Sequence, residues 1–313
     1  MMKTLDEIVE AVRNRPIKTV AVAVAEHESV LSAVKQAAEW GIAEAVLVGD
    51  RDEIDAAAEK AELDLSDVSI IDEGSDLAAA ATATELVSSG KADILMKGQI
   101  HTDDFLRAVL NKDRGLRSGH VMSHVFILET THLDRLTLVT DGAMNIAPDL
   151  VQKADIILNA VYLAQLLGVD TPRVGVLAAT EVVHPEMQAT VDAAVLSKMS
   201  ERRQFPCCRI DGPFALDNAV SEMAAEIKRI EGPVAGNCDV LLVPTIEAGN
   251  MLAKSFVYLA QGRVAGVLVG ASAPIVLTSR ADTAEAKLYS IATAMLMADL
   301  RRASRLKIGK VHF

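Results

Sequence analysis

The segment between Gly270 and Glu285, GASAPIVLTSRADTAE, places a serine and an arginine between an apolar run and the start of a helical pattern. Backbone amides at a helix start favour an anion, and a neighbouring guanidinium can bind two oxygens of a phosphate. Ser279 and Arg280 are therefore predicted to handle phosphate or a polarised carbonyl. The alternative is that Asp282 caps the helix, with Glu285 as its capping-box partner, and that the Ser-Arg pair is ordinary loop.

Five further polar residues follow apolar runs, and we predict that they bind substrate. Lys97 ends ADILMK, where its ammonium could meet a carboxylate or a phosphate, although a solvated lysine would give the same pattern. Asp141 and Asn145 follow LTLVT, and Glu247 and Asn250 follow DVLLV. Asp, Asn and Gly are also common in plain turns, so each of these sites has a purely structural alternative.

Short runs of Val, Ile and Leu alternate with longer amphipathic segments along the chain. This pattern predicts an α/β fold with parallel strands that are buried on both faces. The predicted strands are 19–25, 44–48, 68–71, 92–96, 125–128, 136–139, 173–178, 239–243 and 265–269. The predicted helices are 29–40, 78–88, 103–110, 150–167, 186–199, 215–230 and 283–302. Ligands of such sheets bind beyond the carboxyl ends of the strands, where the residues named above lie.

The chain has 313 residues, of which 50% are hydrophobic, and this length favours two domains. We expect residues 1–140 with 296–313 to form the first domain and residues 141–295 the second. The net charge of −12 opposes binding to nucleic acid or to an anionic membrane. An anionic ligand must then be held by a few placed cations. Three cysteines, no signal-peptide pattern and no long apolar stretch predict a cytoplasmic protein with reduced thiols.

Several motifs of common enzyme classes are absent from the sequence, namely GxGxxG, GxxxxGK[ST], GxSxG and HExxH. Their absence disfavours ordinary Rossmann dehydrogenases, P-loop NTPases, α/β-hydrolases and zincins. His120 and His124 are four residues apart, but Val121 stands where a zincin has glutamate. No bound metal is predicted.

Six segments, taken in order, resemble the phosphate acetyltransferase and phosphate butyryltransferase family. They are AVAVAEHESVLSAVKQAAEWGIAEAVLVGD, ADILMKGQIHT, DGAMNIAP, DGPFALDNAVS, DVLLVPTIEAGNMLAK and GASAPIVLTSRADT. The MKG and ADT segments look more like the butyryltransferase branch. The resemblance implies a two-domain fold related to the isocitrate and isopropylmalate dehydrogenases, with the active site in the cleft between domains. It also implies that acyl-CoA and phosphate give acyl phosphate and CoA by direct transfer, in a homo-oligomer without further cofactor.

The same resemblance assigns roles to individual residues. Ser279 would donate a hydrogen bond, and Arg280 would bind phosphoryl or carbonyl oxygens. Arg107 is similar to an active-site arginine of the family, although an exposed helical arginine is the alternative. Acetyltransferases have a basic Asp seven residues beyond the serine, where this chain has Ala286. Asp282, or else Glu285, is expected to supply the base instead.

Two other functions stay open on the sequence. One is an NAD-dependent hydroxyacid dehydrogenase on the related fold, which would need a carboxylate cluster for a metal. The other is an acyl-CoA sensor that has lost catalysis. A basic C-terminal run could meet the 3′-phosphate of CoA, although the helix dipole alone also favours cations there; it consists of Arg301, Arg302, Arg305, Lys307 and Lys310.

Overall fold

The computed structural model describes residues 1–302 and 310–311, so Arg305 and Lys307 of the basic C-terminal run lie outside the described residues. By its contacts the chain divides into two compact units. The N-terminal unit consists of Leu5–His120 with residues 265–302, and the central unit contains Met1–Thr4 and Val121–Val264.

In the N-terminal unit, helices alternate with strands that are almost all parallel. Its helices are α1 (Leu5–Arg13), α2 (Glu28–Glu39), α3 (Arg51–Lys60), α4 (Asp76–Ser88), α5 (Thr102–Val109) and α11 (Ala284–Arg302). Its strands are β1 (Lys18–Ala23), β2 (Ala43–Gly49), β3 (Ser69–Asp72), β4 (Ile94–Lys97), β10 (Arg263–Val269) and β11 (Ile275–Val276). Their order is β3-β2-β1-β4-β11-β10, and only the β10–β11 pair is antiparallel.

The central unit is also α/β. Its strands are β5 (Ser123–Glu129), β6 (Thr137–Thr140), β7 (Arg173–Leu177), β8 (Arg209–Phe214) and β9 (Val240–Leu242). Its helices are α6 (Leu150–Leu166), α7 (Gln188–Glu201), α8 (Leu216–Val220), α9 (Glu222–Ile227) and α10 (Ile246–Tyr258). The strand order is β5-β6-β9-β7-β8, with only β5 and β6 antiparallel.

The predicted α/β, mostly parallel class is confirmed, with local differences. The predicted helix 215–230 is interrupted at Ser221, whose extended backbone ends α8 and whose hydroxyl accepts from the amide of Ala224 to start α9. Helices α1 and α3, strand β8 and the two-residue strand β11 were not predicted. Among the described residues no helix has the length and apolar character that crossing a membrane requires.

The two units divide the chain at positions other than the predicted domain boundaries. Residues 123–140 belong to the central unit because β6 pairs with β9. Residues 265–295 belong to the N-terminal unit because β11 pairs with β4 and α11 packs against α1 and α2. The sequence pattern did not reveal that β5 pairs antiparallel with β6 and that β10 pairs antiparallel with β11.

A glycine fixes the close approach of two loops at the carboxyl ends of β1 and β4. The amide of Gly98 donates to Ala23 O at 2.9 Å, and that of Gln99 donates to Val24 O at 2.7 Å. A Cβ at position 98 would lie 2.0 Å from Val24 O, and Val24 itself has a φ of 59°. Backbone therefore occupies the space that any side chain at position 98 would need.

Gly98→Ala is expected to lower the free energy of unfolding by about 1 to 3 kcal/mol, because two backbone segments must move apart. Urea unfolding of the purified variant measures this change. The matched control is Gly74→Ala in the same unit, where the nearest atom to the new Cβ is 3.7 Å away. The control should stay within about 0.5 kcal/mol of the wild type. Equal stability of the two variants would contradict the packing described.

Candidate active site

The parallel pair β4 and β11 brings two of the predicted site segments to the same edge of the sheet. Val276 lies opposite Met96, so the chain leaves β11 beside the end of β4 at Lys97. Ser279 and Arg280 follow three and four residues after Val276 and are both exposed. Lys97, which is 2% exposed, lies buried at the end of its strand. The phosphate-handling residues predicted from separate segments are thus neighbours in one unit.

The loop from Ser279 to Asp282 is closed by its own hydrogen bonds. The amide of Ser279 donates to Asp282 Oδ2 at 2.7 Å, and the amide of Asp282 donates to Ser279 O at 3.1 Å. The hydroxyl of Ser279 accepts from the amide of Ala281 at 3.4 Å. This network fixes the main chain of the loop while the side chain of Arg280 extends to solvent.

The alternative interpretation of Asp282 as a helix cap is wrong. Helix α11 begins at Ala284, and the residue before it, Thr283, accepts from the amide of Ala286 at 3.1 Å through its hydroxyl. Thr283 therefore caps the helix, and the carboxylate of Asp282 is used within the loop. Glu285 is not a capping-box partner of Asp282 either, since its Oε1 accepts from the Tyr289 hydroxyl at 2.9 Å.

Lys97 lies in a strongly cationic environment. The pKa of Lys97 is lowered from 10.5 to about 8, mainly by burial and also by the nearby charges of Arg280 and Lys287, against a smaller opposing effect of Asp282. Its Nζ lies 3.3 Å from Gly98 O. The charges of Lys97, Arg280 and Lys287 are thus close enough to interact, although the whole chain carries a net charge of −12.

Lys287 was missed by the sequence analysis. It is 1% exposed, lies in the first turns of α11, and its Nζ donates to the main-chain oxygens of Ser279 and Asp282. Burial lowers its pKa, and the charge of Asp282 opposes that change. The only sequence signal was a lysine within a helix start whose neighbours, Ala286 and Leu288, are apolar.

Arg107 lies on the exposed side of α5. Its guanidinium contacts Asp104 Oδ1 at 3.1 Å, one turn earlier, and its side chain is 70% exposed. This geometry matches the alternative of an exposed helical arginine, and the predicted role of Arg107 in binding substrate stays a prediction.

In the central unit, Asp141 organises the loop that follows β6. The Asp141 carboxylate, which is 2% exposed, accepts from the amides of Ala143, Met144 and Asn145 at 3.0 to 3.1 Å. The side-chain amide of Asn145 also donates to Asp141 Oδ2 at 2.6 Å and to Met122 O at 2.8 Å. Asp141 and Asn145 thus hold one rigid turn, as their structural alternative predicted.

The start of α10 packs against this same turn. The side-chain amide of Asn250 donates to Gly142 O at 3.1 Å, and a Cβ on Gly249 would lie 2.7 Å from Asp141 O. Asn250 therefore joins Asp141 and Asn145 in one cluster. Glu247 is exposed in the first turn of α10, where hydrogen bonds from its own amide and from Thr245 lower its pKa.

Comparison with known proteins identifies the family. A model described as phosphate acetyl/butaryl transferase matches residues 3–82 and 76–295. The chain belongs to this family. It is 50% identical over 298 residues to a phosphate butyryltransferase of Clostridium acetobutylicum, covering 95% of this chain and 99% of the relative. It is 43% identical over 294 residues to a phosphate acetyltransferase of Thermotoga maritima, covering 94% and 99%.

A solved structure agrees with the phosphate acetyl/butyryl transferase assignment. A branched-chain phosphotransacylase from Enterococcus faecalis V583 superimposes with a TM-score of 0.79 at 32% identity, covering 90% of this chain and 99% of that one. The family predicted from the sequence motifs is confirmed.

Among the described residues no group of three or more His, Cys, Asp or Glu side chains is arranged to hold a metal ion. Burial raises the pKa of Cys208 and of Cys238 to about 12, so these two thiols stay protonated near neutral pH. A protonated thiol is a poor nucleophile. Neither of these two cysteines is suited to forming an acyl-enzyme.

Proposed function

We propose that this protein is a phosphate acyltransferase that converts acyl-CoA, with butyryl-CoA preferred, and phosphate into acyl phosphate and CoA. The observation that carries the proposal is that the β11–β4 pair places Lys97 beside the segment of Ser279 and Arg280, with Lys287 buried behind that loop, in a chain of net charge −12. Because an acidic protein repels anions overall, it needs positively charged side chains close together to bind phosphate.

The reaction is a direct transfer between two bound substrates. A phosphate oxygen attacks the thioester carbonyl carbon, the carbonyl oxygen becomes an oxyanion, and the C–S bond then breaks to release CoA as its thiolate. Ser279 donates a hydrogen bond and Arg280 binds phosphoryl or carbonyl oxygens, because preorganised donors stabilise charge that develops in the transition state. No metal and no cofactor other than the substrate CoA take part.

In the reverse direction a base must take the proton of the CoA thiol, and we assign this role to Asp282. Its carboxylate belongs to the same loop as Ser279 and Arg280, since Oδ2 accepts from the Ser279 amide at 2.7 Å. Glu285, the other carboxylate within reach in sequence, is held by Tyr289 one turn further along α11. The geometry therefore favours Asp282 over Glu285.

The remaining predicted site residues bind substrate or fix the conformation of the loops around it. Lys97 holds the phosphate, and Arg107 supplies a further cation from α5. In the central unit, Asp141, Asn145 and Asn250 hold the turn after β6. Their role in binding substrate, and that of Glu247, is part of the same proposal. We also propose a homo-oligomer, which light scattering of the purified protein would measure, and a cytoplasmic location, where acyl-CoA is found.

The proposed preference for butyryl-CoA rests on the sequence identity of this chain to its relatives. The chain is 50% identical to the butyryltransferase named above and 43% identical to the acetyltransferase. One or two methylenes change discrimination by only about 1 to 3 kcal/mol each, so phosphate acetyltransferase is the alternative.

The pH dependence of phosphate binding should report the charge of Lys97. Because the pKa of Lys97 is about 8, the ammonium is charged below that pH and neutral above it. The KM for phosphate is therefore expected to rise about 10-fold as pH increases from 7 to 9, as one charge-assisted hydrogen bond is lost. Initial rates at varied phosphate concentration measure this.

The control for this pH dependence is Lys97→Arg, which stays charged throughout the range. The ionisation of phosphate itself also changes the KM with pH, but it does so equally for the variant and the wild type, so the comparison removes its effect. The KM of the variant for phosphate should change much less with pH than that of the wild type. Identical pH profiles of the wild type and the variant would remove Lys97 from phosphate binding.

One assay separates the proposed function from its rivals. The protein is given acyl-CoA with phosphate in one reaction and a hydroxyacid with NAD in another, and free thiol and NADH are followed. A transferase releases CoA only with phosphate, a hydroxyacid dehydrogenase reduces NAD with a hydroxyacid, and an acyl-CoA sensor does neither. The absence of thiol release would end the transferase proposal.

A further inference from the structure

Lys287 is a buried ammonium whose position general rules disfavour. It is 1% exposed and lies in the first turns of α11, where the helix dipole opposes a positive charge. Taking an ammonium out of water is costly, and an apolar side chain of similar volume would fill the space without that cost. A lysine at this position therefore needs an explanation beyond packing.

Its hydrogen bonds supply the explanation. Nζ of Lys287 donates to the main-chain oxygens of both Ser279 and Asp282, the two ends of the closed loop. The amide of Lys287 donates to Thr283 O at 3.1 Å, so the same residue also belongs to the capped start of α11. A neutral apolar side chain would leave two carbonyl oxygens of the loop without this donor.

We propose that Lys287 is a positioning residue, which holds the main chain of Ser279–Asp282 from the protein interior and so orients the side chains of Ser279 and Arg280 toward the reacting phosphate. Its effect on turnover rests on the proposed function, whereas its effect on the loop does not. Its charge has a second consequence, because it helps to keep the pKa of Lys97 low.

Trypsin tests the loop without requiring activity. Arg280 is an exposed arginine within the loop, and cleavage after it is expected only when the loop opens. Lys287→Met should make this cleavage about 10- to 100-fold faster, because hydrogen bonds from a charged donor are lost and proteolysis follows the open population. Cleavage after Arg114, an exposed residue of the same unit, is the reference that detects unfolding of that unit.

Two variants complete the design. Lys18→Met removes another buried lysine of the same unit, 5% exposed at the amino end of β1, and should leave the ratio of the two cleavages unchanged. Lys287→Arg keeps the charge and the donors and should protect the loop. If Lys287→Met gives no folded protein, Lys287→Gln takes its place and is expected to open the loop less.

Kinetics test the positioning itself. With Lys287→Met, kcat should fall at least ~10-fold, because misplaced catalytic groups lose rate. The pH at which the KM for phosphate rises should move upward, because a positive neighbour of Lys97 is gone, whereas Lys18→Met should change neither quantity. An unchanged cleavage ratio, an open loop with normal kcat, or an arginine variant as open as the methionine variant would each overturn the proposal. If the wild type releases no CoA while the loop still opens in Lys287→Met, the proposed function is wrong, but the role of Lys287 in holding the loop closed is supported.

Discussion

Replacement of Arg280 by alanine is expected to lower turnover at least ~10²-fold, by analogy with the loss of one preorganised oxyanion donor. Arg280 is exposed within a loop whose main chain is fixed by Asp282 and Lys287. The truncation therefore removes a guanidinium from a structure that keeps its shape. Initial rates of CoA release from butyryl-CoA with saturating phosphate measure the change.

The matched control is Arg114→Ala in the same unit. Arg114 is also an exposed arginine, and its guanidinium pairs with Glu85 at 3.1 Å. Exposed ion pairs of this kind contribute about 1 kcal/mol or less to stability, so the control should keep its turnover. Near-normal turnover of Arg280→Ala would remove Arg280 from the mechanism.

The second large effect is expected for Asp282→Asn. If the carboxylate takes the thiol proton, its amide counterpart should lower the rate of acyl transfer from acyl phosphate to CoA by ~10²- to 10⁴-fold. Asparagine keeps an oxygen that can accept from the amide of Ser279, so the loop should stay closed. Thiol consumption from butyryl phosphate and CoA measures the rate, and trypsin cleavage after Arg280 checks the loop.

Glu285→Gln is the companion variant. It changes the other nearby carboxylate, which accepts from the Tyr289 hydroxyl. It should lower the rate far less than Asp282→Asn. Full activity of Asp282→Asn with loss of activity in Glu285→Gln would move the base to Glu285, and full activity of both variants would exclude both carboxylates.

Much of the fold follows from short-range patterns. The parallel strands β1, β2 and β4 are runs of Val, Ile, Leu and Ala bounded by amphipathic segments, and such runs are readable without long-range information. The pairing of β11 with β4 is not, because β11 has only two residues and its partner lies far away in the chain. That pairing is also why residues 265–295 belong to the N-terminal unit.

The candidate site likewise has residues that local sequence patterns indicate and one that only the folded structure reveals. Ser279, Arg280 and Lys97 were recognisable because each follows an apolar run in a segment that resembles the family. Lys287 was not, because its importance depends on the main-chain oxygens of Ser279 and Asp282, which only the folded loop brings to its ammonium. The alternative in which Asp282 caps the helix arises because Asp282 and Thr283 are adjacent and both residue types cap helices.

The most direct test of the account is the stoichiometry of wild-type product formation from butyryl-CoA. The protein is incubated with butyryl-CoA with and without phosphate, free thiol is titrated, and butyryl phosphate is quantified by phosphorus NMR. The account predicts equal amounts of CoA and butyryl phosphate when phosphate is present, and no thiol release when it is absent. Thiol release without phosphate, or no release at all, would contradict it.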